Sequence, residues 1–298
     1  MSEPLGRRSL LIACVLVGAA ASACPAASHA APIKIVAAEN VYADVAAQVG
    51  GDDVTASGII STPAQDPHQF EASPATTLAL AGADIVIENG VDYDPWVDRL
   101  LASTSAPHRE TIVVADLLHR KPGDNPHLWY DPKCMLVLAA KIADALTARN
   151  PARREFYRLR LKAFYDAYAP VTAKIDALRA KYAGTPVTAT EPIFGDMANA
   201  IGLDMRNLRF QLAVMNDTEP GAHDLAAMQD DLKGRKVKLL IYNSQVSDTL
   251  TERLRTIAQA AKVPVVGVSE TEPPGKNYQQ WITDTLDAVD RALAGSGT

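Results

Sequence analysis

The chain has 298 residues, 48% hydrophobic and 21% charged, the balance of a globular protein and not of a disordered or fibrous one. Its formal net charge is −6 at pH 7, and no basic stripe exists to neutralise phosphates, which argues against nucleic acid as a partner. Of the three cysteines, Cys14, Cys24 and Cys134, the first two fall in the N-terminal segment. An intrachain disulfide or a Cys-rich metal site is therefore not expected.

Residues 1–30 read as a signal peptide: Arg7 and Arg8 precede an apolar run from Ser9 to Ala23, and Ser28-His29-Ala30 forms an A-x-A-type cleavage site. Ala21-Ser22-Ala23-Cys24 offers a second route, lipid attachment at Cys24. Either places the mature protein in the periplasm or at the extracytoplasmic membrane surface. No later segment is long and apolar enough to span a bilayer.

The mature chain opens on a strand pattern, Ile33 to Ala38, followed by a helical pattern from Val41 to Val49. Val54 to Ile60 reads as the next strand, and a polar loop follows from Ser61 to Phe70. Ser73-Pro74 is a helix start with Ser as N-cap and Pro at N1. The helix from Ala75 to Ala81 leads to an apolar strand over Asp84–Ile87. Thr111 to Val114 reads as a strand, and after a turn-rich loop Asp131-Pro132 caps a helix over 133–147.

From Asn150-Pro151 to Tyr182 a charged amphipathic pattern places Phe156, Leu159, Ala163, Phe164, Ala167 and Val171 at three- and four-residue steps. A helix of that length spans about 48 Å, and Pro170 should kink or divide it. A second β/α series follows, with strands over Val187–Ala189, Lys238–Tyr242 and Val263–Val268. Helices are expected over 193–201, 224–232, 250–261 and 278–293. Strands alternating with helices mean parallel β/α units. The expected fold is α/β: an N-terminal lobe over 31–149, a single long linking helix over 150–183 and a C-terminal lobe over 184–298.

Two histidines occupy matching settings. His68 lies in Asp66-Pro67-His68-Gln69-Phe70 and His127 in Asn125-Pro126-His127-Leu128-Trp129. Each follows a proline, in a loop after a strand and before a helix start, where parallel α/β folds place ligands. The proline stiffens the loop and suits a ligand held in place before binding. His108, His119 and His223 lack this setting and read as surface residues.

Asp66-Pro67-His68 and the run Asn125-Pro126-His127-Leu128-Trp129-Tyr130-Asp131-Pro132 resemble the zinc/manganese-specific solute-binding proteins of ABC importers, and the resemblance extends over nearly the whole mature chain. It implies one divalent transition metal held between two rigid lobes, with two ligands from each, delivered to a membrane permease. The motif Thr190-Glu191-Pro192-Ile193-Phe194 resembles the family's third-ligand segment and puts Glu191 there. The fourth ligand, usually Asp, is expected eight residues past Pro264, at Glu272; Glu270, two residues earlier, is the competitor, on the same face if the strand continues.

Two imidazoles and two carboxylates neutralise a buried dication, and nitrogen and oxygen ligands without thiolate suit manganese or iron as well as zinc. The expected set is His68, His127, Glu191 and Glu272, binding manganese or zinc, with iron a third option, in a protein acting as a monomer. An exported metal-dependent hydrolase is the alternative, although no H-E-x-x-H helix or Ser-His pairing supports it. A binder of chelated metal and an adhesin are further readings.

Overall fold

The structure, a computed structural model, describes residues 1, 31–63, 67–104, 106–246 and 248–295. The expected leader and Cys24 lie outside the described residues, as do Asp66 and the side chain of His68. Among the described residues no helix is long and apolar enough to cross a membrane.

The first apolar runs form four parallel strands: β1 (Ile33–Glu39), β2 (Val54–Ile60), β3 (Ile85–Glu88) and β4 (Glu110–Val113), in the order β2-β1-β3-β4. Every residue of β3 is buried, as expected of a central parallel strand covered on both faces. The connections carry α1 (Asn40–Gly50), α2 (Pro74–Ala81), α3 (Pro95–Ser103) and α4 (Val114–Leu117), and α5 (Cys134–Arg149) closes this lobe. Ser73 and Thr76 form a reciprocal capping box at α2, with Pro74 at its start. The expected cap at Asp131 takes another form: its carboxylate accepts the Lys133 N–H at 2.9 Å, and α5 begins one residue later.

The long helix is α6 (Arg154–Tyr182), 29 residues preceded by a short 3-10 turn. Pro170 does not divide it. The missing N–H leaves the Asp166 carbonyl without its helical partner, but both residues are exposed and water can take its place. The buried face shares Phe164 and Val171 with the stripe expected but otherwise differs from it. Tyr157, Phe164, Tyr168, Val171, Ile175, Leu178 and Tyr182 are buried, whereas Leu159 is 51% exposed. Tyrosines serve here because each hydroxyl finds a partner at the rim: Tyr157 donates to Asp53 at 2.9 Å, Tyr168 to the Pro132 carbonyl at 3.0 Å and Tyr182 to Asp290 at 2.6 Å.

Beyond α6 the pattern repeats. Strands β5 (Pro186–Ala189), β6 (Asp204–Arg206), β7 (Leu240–Asn243) and β8 (Val265–Val268) form a parallel sheet ordered β6-β5-β7-β8, the same winding as the first. Its helices are α7 (Gly195–Ile201), α8 (Leu208–Met215), α9 (Ala222–Lys233), α10 (Thr249–Ala260) and α11 (Tyr278–Gly295). In each sheet the order in which strands are added reverses beside the first strand, so β1/β3 and β5/β7 flank the switch points where such folds bind ligands.

One continuous buried cluster runs from the first sheet through α5 and α6 to β5, β7 and α11, so the lobes share a core. Smaller clusters back the outer face of each sheet. Truncating Phe164 to Ala should therefore cost about 3–5 kcal/mol, while Leu159→Ala stays within about 0.5 kcal/mol; urea unfolding of the mature protein reads both.

Candidate metal centre

The loop carrying His127 is braced from behind. Asp94 accepts the backbone N–H groups of Asn89 (2.7 Å) and Gly90 (2.9 Å), fixing the turn after β3. Asn89 accepts from the Tyr42 hydroxyl and donates to the Pro126 carbonyl at 2.9 Å. His127 is fully buried, with Tyr93 and Trp129 edge-on at ring-centroid distances of 6.1 and 5.5 Å. The Oδ1 of Asn125 accepts from its backbone N–H at 3.2 Å and lies 2.7 Å from its Nδ1.

Across the seam, β8 ends at Val268. The next residues fold around Gln245, whose side-chain carbonyl accepts the N–H groups of Glu270 (2.6 Å) and Thr271 (2.9 Å). This turn sends the Glu270 side chain inward, where it accepts from the Tyr93 hydroxyl of the other lobe and from Asn243 at the end of β7. Its Oε2 stands 3.9 Å from Nε2 of His127, with both side chains fully buried. Glu191 follows β5 and is 3% exposed. It borders a cavity of about 570 Å³ that is also lined by Gln69, the neighbour of His68.

Glu272 lies in a different setting from Glu270. Two residues share a face only while a strand continues, and β8 has already ended. The Glu272 backbone is instead clasped by Asn40, which donates to its carbonyl at 2.8 Å and accepts its N–H at 3.0 Å. Asn40 reaches this position because Gly58 has no side chain: a Cβ there would come within 2.5 Å of the Asn40 Cα. Burial, with Asp44 nearby, pushes the Glu272 carboxyl up to about 9.

The structure thus brings together His127 and Glu270, and places Glu191 beside the loop of His68. Among the described residues no group of three or more His, Cys, Asp and Glu is close enough to hold a metal. His108, His119 and His223 take no part in the described contacts of this centre; His223 sits exposed beside Asp224. Sequence reasoning missed Tyr93, Asn243 and Gln245, which carry no motif. It also missed Glu39, fully buried at the end of β1, whose carboxyl oxygens have no hydrogen-bond partner among the described residues. Burial, and Asp94 next, hold Glu39 well above the usual carboxylate range.

The family model described as zinc-uptake complex component A, periplasmic (ZnuA), matches residues 35–292. The chain belongs to the ZnuA family. ZnuA-family membership makes it a binding component of a metal-uptake system and not an enzyme, as the two Pro-His motifs led us to expect.

Among relatives of this ZnuA-family chain, the manganese ABC transporter substrate-binding lipoprotein PsaA of Streptococcus pneumoniae is 22% identical over 313 residues, covering 96% of this chain and 97% of that protein. The iron ABC transporter substrate-binding lipoprotein MtsA of Streptococcus pyogenes is 22% identical over 286 residues, covering 88% and 89%. The periplasmic zinc-binding protein TroA of Treponema pallidum superposes with a TM-score of 0.74 at 19% identity, over 89% of this chain and 99% of that one, showing the same fold.

A pH dependence follows from Glu88, at the end of β3. Burial, with Asp94, Asp98 and Asp116 nearby, pushes its carboxyl up to about 8. A raised carboxyl favours the native state while protonated: that stability is complete below its ordinary value and is lost as pH rises through about 8. Glu88→Gln should flatten the fall in melting temperature of the metal-free protein across that interval. An unchanged slope would contradict the assignment.

Proposed function

We propose that this chain captures one divalent transition metal, manganese or zinc, between its lobes and delivers it to the membrane permease of an ABC importer. The observation that carries the reading is the buried pair His127–Glu270, an imidazole of one lobe facing a carboxylate of the other at 3.9 Å. The proposed ligands are His68 and His127 from the N-terminal lobe with Glu191 and Glu270 from the C-terminal lobe. Glu270 takes the place assigned to Glu272 in this reading because its carboxylate faces His127 at 3.9 Å, whereas the described contacts of Glu272 are those of its backbone with Asn40.

Two neutral imidazoles and two carboxylates offset the dication's charge and lower the cost of burying it. The absence of thiolate and the capacity of carboxylates for bidentate binding favour manganese over a strictly tetrahedral zinc site. Residues 1–30 serve as the export signal in this reading, and the mature protein acts as a monomer. Hydrogen bonds crossing the seam from Tyr93, Tyr130, Asn40 and Asn125 support a cleft that changes little on loading.

Calorimetry on the metal-stripped mature protein should find one saturable site for manganese and for zinc, with affinity falling below about pH 6 as the imidazoles protonate. No saturable site for either metal would refute the proposal. Elemental analysis of protein purified from its native compartment identifies the metal carried.

Glu270→Ala should weaken binding by more than about 100-fold, beyond the loss usual for a residue outside the coordination shell. Glu272→Ala should change it by less than about 10-fold. The reverse order would return the fourth position to Glu272.

A further inference from the structure

The side-chain amide of Asn125 has only one possible orientation. Its Oδ1 accepts the backbone N–H of His127 at 3.2 Å, and that group can only donate. Its Nδ2 donates at 2.8 Å to the carbonyl of Pro192, which can only accept. Turning the amide over would set two donors together at one end and two acceptors at the other. The third contact, 2.7 Å between Oδ1 and Nδ1 of His127, therefore requires the hydrogen on Nδ1. The lone pair is left on Nε2, the nitrogen that faces Glu270.

The same amide crosses the seam. Pro192 directly follows Glu191 and begins the 3-10 turn that leads into α7. Space for the contact depends on Gly195, where a Cβ would lie 3.2 Å from the Asn125 Nδ2. The Gly195 φ of −58° is one any residue adopts, so glycine is needed here for room and not for backbone freedom.

We infer that Asn125 is a positioning residue that fixes the tautomer of His127 and anchors the Glu191–Pro192 backbone, so that one side chain aligns groups from both lobes. The consequence for metal binding rests on the function proposed above; the tautomer does not. An asparagine that merely closed its own loop would leave the imidazole tautomer unchanged when replaced.

Long-range 15N–1H NMR of the imidazole nitrogens in the metal-free protein tests this directly, together with manganese and zinc titrations. In the unsubstituted protein His127 should carry its hydrogen on Nδ1. In Asn125→Ala it should move toward Nε2, with affinity falling about 10- to 100-fold. Asn125→Asp keeps an acceptor for Nδ1–H but cannot donate to Pro192. It should retain the tautomer and still bind metal less tightly. Gly195→Ala should likewise keep the tautomer while speeding metal dissociation, because it presses on the Nδ2 end alone.

Asn125→Ala with hydrogen still on Nδ1 and unaltered affinity would overturn the inference. So would affinity losses in all three variants that simply track their apo melting temperatures. If the tautomer responds as stated but the parent protein binds neither metal, the proposed function fails while the hold of Asn125 on His127 stands.

Discussion

Negative charge shut away from water is the constraint around which this molecule is arranged. Glu39, Glu88, Glu191, Glu270 and Glu272 are all buried, most of them at the carboxyl ends of strands that converge on the seam between the lobes. A carboxyl in such a place must be neutralised by a proton, by donors or by a cation. The chain divides these solutions among its members. Glu39, Glu88 and Glu272 are driven toward the protonated state by burial and by one another's neighbours. Glu270 is held by a tyrosine from one lobe and an asparagine from the other. In the proposed function a dication between them would satisfy Glu270 and His127 together.

The lobes do not meet as independent bodies. Tyr130, Phe194 and Trp281 form an aromatic wall between them, with adjacent ring centroids 5.3 and 5.7 Å apart, and Tyr278 donates across to the Trp129 carbonyl at 2.7 Å. Arg120 bridges Asp131 of one lobe and Asp196 of the other, each at 2.8 Å. Helix α6 carries the same union along its length, joined by Arg153 and Tyr157 to Asp53 at one end and by Lys181 and Tyr182 to Asp290 at the other.

Much of this was legible in the residues themselves. The apolar runs of β1 to β4, β5, β7 and β8 and the long charged helix announce parallel β/α units, and the Pro-His loops stand out because two of them occupy matching settings in one lobe. The elements that escaped notice are α3, α4, β6 and α8, whose short and mixed patterns acquire meaning only by packing. The α6 stripe was misread because tyrosines look amphipathic until their hydroxyl partners are known. The different settings of Glu270 and Glu272 depend on where β8 stops, and Gln245, 25 residues before Glu270, gathers the backbone of Glu270 and Thr271. Such a contact leaves no periodic trace.

The shared core also constrains how cargo leaves. Prising the lobes apart would tear open a single hydrophobic interior that includes the buried face of α6. The cavity bordering Glu191, by contrast, is walled in part by Thr218, Glu219, Pro220 and Val246, residues on connecting segments outside that interior. In the proposed function, a receptor that draws on these segments would act beside Glu191 while the shared interior stays closed. Unloading would then be a matter of local leverage at the rim, with the two halves of the protein never parting.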